Sequence, residues 1–92
     1  ITGGGFEENL SRVNNGLTIN IDRSKWQLPK IFRDIQDLGN IETEEMFRVF
    51  NCGIGFAIVL SEANAKEAKI LNSDFIEIGY VSKKEDFPFK YI

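Results

Sequence analysis

Apolar and polar positions change period several times along this chain, and each change marks an element. Phe6, Leu10 and Val13 fall at i, i+4 and i+7, which predicts a helix over 6–13 with one apolar face. Glu7 and Glu8 stand in its first turn, where carboxylates favour the helix dipole, and Asn14-Asn15-Gly16 supplies a left-handed stop. Leu17 to Asp22 alternates apolar and polar and predicts a half-buried strand. Trp26 and Leu28, in the connector that follows, are expected to fold back onto the core. Pro29 opens a second helix, with Ile31, Phe32, Ile35 and Leu38 as its apolar stripe and Gly39-Asn40 as its end. Thr43 is the expected N-cap of a third helix carrying Met46, Phe47, Val49 and Phe50.

The run Phe56-Ala57-Ile58-Val59-Leu60 is unbroken and apolar, which predicts a strand covered on both faces. Ser61 caps a predicted helix over 63–71, with Ala65, Ala68 and Leu71 or Asn72 inward. Phe75 to Val81 reads as a strand with Ile76, Ile78 and Tyr80 on one face. Phe87, Phe89 and Tyr91 alternate in a last strand that Pro88 places at an edge. With a strand remnant at Ile1, this order predicts an α+β fold, a mixed sheet covered by helices. A chain of 92 residues is expected to form a single domain over 1–92.

Composition narrows the function classes. A net charge of −3 and basic residues scattered among acids give no footprint for nucleic acid. No apolar run is long enough for a bilayer, and no basic stretch leads an apolar one at the start, so neither a membrane partner nor a signal peptide is expected. There is no histidine and one cysteine, Cys52, so Cys/His zinc sites, histidine-based triads and intrachain disulfides are all excluded, and no metal site is expected. The lone thiol fits a reducing compartment, and a cytoplasmic location is expected. The first residue is Ile1, inside what reads as a strand, which predicts a piece of a larger protein.

The candidate chemistry lies in Gly3-Gly4-Gly5. Glycines between a strand remnant and a helix start can take positive φ and leave amides uncovered, and they join the unpaired N–H groups of the helix itself. Such a junction can seat an anion such as phosphate, or it can be a tight turn with no ligand. Asn51 and Gly53, ahead of the apolar run, are either a second cleft element or a helix C-cap followed by close strand packing. Cys52 has no activating neighbour in the sequence and reads as a buried, inert thiol.

Three linked motifs carry a family resemblance. Ile1-Thr2-Gly3-Gly4-Gly5 with Glu8-Asn9 and Arg12 is the first, and Trp26, Pro29, Ile31 and Phe32 form the second. The third runs Gly39-Asn40, then Glu45-Met46, Arg48 and Phe50-Asn51, and ends on Gly53-Ile54-Gly55. In order and spacing these resemble phosphoribosylformylglycinamidine cyclo-ligase, also called aminoimidazole ribonucleotide synthetase, over nearly the whole chain. Ser11 departs from the family's usual proline, and a histidine of the family motif would precede Ile1.

The resemblance implies the latter part of the C-terminal domain of a two-domain synthetase, and so a fragment of that C-terminal-domain-like fold, with the N-terminal ATP-binding domain missing. It implies an enzyme that closes formylglycinamidine ribonucleotide to aminoimidazole ribonucleotide in purine biosynthesis. ATP and Mg2+ would be bound mainly by the absent domain, none by this chain alone, and the full enzyme would be a homodimer acting on a small-molecule substrate. Gly3, Gly4, Gly5, Asn9 and Arg12 would then face a substrate or nucleotide phosphate in the interdomain cleft, and the isolated fragment would be inactive. Two other readings compete: a related ATP-dependent synthetase or kinase, and a free-standing α+β regulatory module that binds a small ligand.

Overall fold

The computed structural model describes every residue from Ile1 to Ile92. Its helices are α1 (Gly5–Leu10), α2 (Lys30–Gly39), α3 (Thr43–Val49) and α4 (Glu62–Leu71), and a 3-10 turn spans Arg23–Lys25. Its strands are β1 (Thr18–Ile21), β2 (Gly79–Ser82) and β3 (Phe89–Tyr91). The sheet order is β2-β1-β3. β2 runs antiparallel to β1, with Val81 opposite Ile19, and β3 runs parallel to it, with Phe89 beside Ile19. This is the mixed-sheet α+β fold expected from the pattern, with β3 at an edge.

The core lies where α1 meets α3 and β3. Phe6 and Leu10 from α1 and Met46 and Phe47 from α3 close over Ile19, Ile21 and Phe89, with Cys52 at the margin. Phe6 packs its ring 5.6 Å from Trp26 and 5.8 Å from Phe47, which adds aromatic contact to plain area burial. Trp26 and Leu28 pack against this cluster as expected. The Trp26 indole N–H donates to the Cys52 carbonyl at 3.0 Å, which satisfies its one polar atom.

Several expectations are corrected. α1 stops at Leu10, because the chain must turn through Asn15 and Gly16, both at positive φ, to enter β1; Val13 is left exposed. β1 is buried on both faces rather than one. Thr18 and Asn20 are shut from solvent because the chain after β2 folds over them: the Glu85 N–H donates to the Thr18 hydroxyl, which donates to the Phe87 carbonyl. Asn20 Nδ2 donates to the carbonyls of Thr18 and Tyr80 and to the Ser82 hydroxyl, while its Oδ1 has no partner.

On α2 only Phe32 and Ile35 reach the core, and Ile31 and Leu38 face outward. The N-cap of α3 is Glu42, because Thr43 is its first helical residue and its hydroxyl accepts from Gln36 Nε2. Ser61 does cap α4, accepting from the Asn64 N–H at 3.2 Å, but α4 buries no residue and Leu71 is exposed.

The largest departure is Phe56–Leu60. It forms no strand, and none of its backbone groups makes a backbone hydrogen bond, because no other segment of the chain runs beside it. Phe56 is 82% exposed. Phe75 to Glu77 likewise stay outside β2, with Phe75 and Ile76 exposed, and neither Ile1 nor Phe87 lies in a strand. No helix is long and apolar enough to cross a membrane.

Candidate functional site

The glycine triplet leads into α1 through two left-handed residues, Gly4 at φ 96° and Gly5 at φ 67°. Gly5 has a second constraint, since a Cβ there would fall on the Phe47 carbonyl of α3. The missing side chain is therefore what lets α1 lie against α3. Gly3 faces open space and has no positive φ.

Asn9, one turn into α1, reaches back to the loop. Its Nδ2 donates to the carbonyls of Gly5 at 2.7 Å, Thr2 at 3.2 Å and Gly3 at 3.4 Å, and its Oδ1 accepts from the Thr2 hydroxyl at 3.3 Å. The Gly5 N–H closes the turn on the Thr2 carbonyl at 3.2 Å. The structure thus brings Gly3, Gly4, Gly5 and Asn9 into one unit. Arg12 is held apart from it by Glu8, 3.5 Å away on the exposed face of α1. An exposed pair of this kind contributes little to stability and leaves the guanidinium free to move.

Asn51 and Gly53 form a separate turn after α3. Asn51 Oδ1 accepts from the Gly53 N–H at 2.8 Å, Cys52 and Gly53 take positive φ, and Gly53 lies against the ring of Pro29. One hydrogen bond, from the Ile1 α-amino group to the Gly55 carbonyl, sets this segment beside the start of the glycine loop. Burial pushes the Cys52 thiol up to about 11, against a smaller opposing pull from Arg23. At neutral pH it is a protonated, unreactive sulfur.

Beside Gly4 lies an open depression of about 390 Å³, rimmed by Glu7, Glu8, Glu44 and Arg48, with Phe47 and Tyr91 in its wall. Arg23, which no local sequence pattern singles out, contacts three of these residues. That guanidinium lies 4.4 Å from the Tyr91 ring centre and 5.1 Å from that of Phe47, and it pairs with Glu44 at 3.0 Å. Its Nη1 is shut from solvent without a partner. Burial drives the Tyr91 phenol up to about 12, with Arg23 pulling the other way. The rim carboxylates do not converge into a set of three or more metal ligands. These residues do not fit a magnesium site of their own.

Together these features define a small α+β fold that presents a glycine loop at a helix start. The chain belongs to the family described as AIR synthase related protein, C-terminal domain, whose sequence profile matches residues 1–91. It is 46% identical over 88 residues to the phosphoribosylformylglycinamidine cyclo-ligase of Geotalea daltonii, covering 90% of this chain and 25% of that protein. To the protein of the same name from Citrifermentans bemidjiense it is 48% identical over 88 residues, with the same coverage. To that of Staphylococcus carnosus it is 44% identical over 93 residues, covering 96% of this chain and 27% of the relative. The chain therefore spans about a quarter of the length of these relatives.

Proposed function

We propose that this chain is the latter part of the C-terminal domain of a phosphoribosylformylglycinamidine cyclo-ligase. That enzyme closes formylglycinamidine ribonucleotide to aminoimidazole ribonucleotide with ATP, in the cytoplasm. The observation that carries the reading is the 46% identity to a protein of that name over 90% of the chain. ATP and Mg2+ are held mainly by polypeptide outside these residues, and a second subunit completes the dimer. Here the loop of Gly3, Gly4 and Gly5 supplies backbone N–H groups to a phosphate of the substrate or nucleotide in the cleft between domains, with Asn9 and Arg12 beside it. Asn51 and Gly53 line the same cleft.

The chemistry asks little else of this segment. Ring closure after phosphoryl activation of an amide oxygen depends on holding phosphates and orienting the attacking nitrogen. Backbone amides fixed by a turn do that without a titrating side chain. Glu7, Glu8 and Glu44 raise the negative potential beside the loop, so the 92 residues alone bind phosphate weakly and have no cyclase activity.

The test is steady-state kinetics of the full-length polypeptide that contains this segment. Gly3→Ala adds a methyl group in open space and leaves the fold intact, while crowding the seat. The reading expects ATP-dependent ring closure by the parent enzyme and a KM for formylglycinamidine ribonucleotide raised about tenfold in the variant, the loss of roughly one charge-assisted hydrogen bond. A parent without ring closure overturns the activity. Unchanged kinetics in the variant overturns the role of the loop.

A further inference from the structure

The Ile1 nitrogen donates to the Gly55 carbonyl. Joined to a preceding residue, that nitrogen is an amide N–H, and the bond is one rung of a β-ladder. Directly after the rung comes Phe56–Leu60, five apolar residues with no helix, no turn and no backbone hydrogen bond. Phe56, Ile58, Val59 and Leu60 are exposed, while Ala57 and Ile1 both pack against the core cluster. Apolar side chains on both faces and unpaired backbone groups are what a strand carries when its neighbour lies outside the 92 residues.

We propose that the residues immediately preceding Ile1 in the parent polypeptide run antiparallel along Phe56–Leu60 and pair with it. This rests on the reading of the chain as the latter part of a longer cyclo-ligase, its relatives being proteins of which it spans 25%. The direction follows from what flanks the rung. A parallel course would carry the preceding residues back past Gly53 and Cys52, where two positive-φ residues form a turn, Cys52 is fully buried and Gly53 lies against Pro29. No ladder fits there, whereas Phe56–Leu60 is open. The register follows from the rung itself: with Ile1 opposite Gly55, the residue just before Ile1 stands opposite Phe56 and the third before it opposite Ile58. A second copy of the chain is the weaker occupant, because it must arrive by collision. The preceding residues are tethered at the rung, at an effective concentration of roughly millimolar or above. The added strand runs straight into Gly3 and so fixes where the glycine loop starts.

The experiment uses the full-length parent enzyme. One variant combines a cysteine at the residue just before Ile1 with Phe56→Cys. Directly opposed positions of this non-hydrogen-bonded kind bring the Cα atoms to about 4.5 Å, within the span of a disulfide. An offset variant combines the same first cysteine with Leu60→Cys, about 13 Å further along the strand. After mild oxidation, peptide mapping should find an intrachain bridge at least roughly tenfold more often in the first variant than in the second. Bridging that is equal in the two, absent from both, or formed between subunits overturns the pairing. Hydrogen exchange of the unaltered enzyme needs no substitution and decides the matter if the cysteines prevent folding. The amides of residues 56–60 should exchange about a hundredfold or more slower than in an unstructured chain, and exchange at the unstructured rate overturns the pairing. An enzyme that shows slow exchange and the bridge yet closes no ring overturns only the activity proposed above. One that closes the ring without them overturns only the strand.

Discussion

Gly3, Gly4 and Gly5 are adjacent in sequence and differ in what they tolerate. Gly5→Ala forces a methyl group onto the Phe47 carbonyl and strains a positive φ. It should destabilise the chain by about 2 kcal/mol or more in urea unfolding. Gly3→Ala meets nothing and should change stability by less than about 0.5 kcal/mol. Equal costs at the two positions would contradict the close approach of α1 to α3. The triplet itself was legible as a turn, because consecutive glycines before a helical period have few other uses. Which glycine serves which purpose was not, since the Phe47 carbonyl is 42 residues away in sequence. Arg23 was hidden for the same reason: its aromatic neighbours Phe47 and Tyr91 come from two later elements, and no local pattern links them.

At the level of elements, the sequence predicted types well wherever the signal was local. The existence of the four helices, the left-handed stop at Asn40 and the Ser61 cap all follow from spacings of a few residues. It failed where an element needs a distant partner. Phe56–Leu60 has the composition of a buried strand but no strand beside it, and Thr18 and Asn20 look like outward positions until the later chain covers them. An uncharged, unpaired apolar segment of this kind invites pairing with its own kind. The 92-residue chain should self-associate at high micromolar concentration in sedimentation velocity, and Ile58→Lys should shift it toward monomer. A wild type that stays monomeric throughout that range would contradict this.

For the molecule as a whole, the core is thin: 11 of 92 residues are buried. Two of the groups near it resist ionisation. The ordinary values are 9.0 for Cys52 and 10.0 for Tyr91, and burial raises them to about 11 and about 12. The unfolded chain therefore loses these protons at lower pH than the folded one. Stability is at its full value below pH 9 and falls as pH rises through the two folded values. Thermal midpoints should drop between pH 8 and pH 11, and Cys52→Ala should lessen that drop relative to its own midpoint at pH 8. A midpoint that is level over this range would show that neither group is shielded as described.

The parallel pairing of β3 with β1 joins Tyr91 to Ile21 across most of the chain. During synthesis, β1 emerges ahead of both its neighbours and keeps both edges open through residue 78. Its antiparallel neighbour arrives only at Gly79, and Phe89, one of the core residues, later still. Sheet contacts this far apart in sequence form slowly and late. A nascent polypeptide that has emerged only as far as residue 80 of this segment holds helices without a finished interior, exposed to chaperones and proteases until β3 follows.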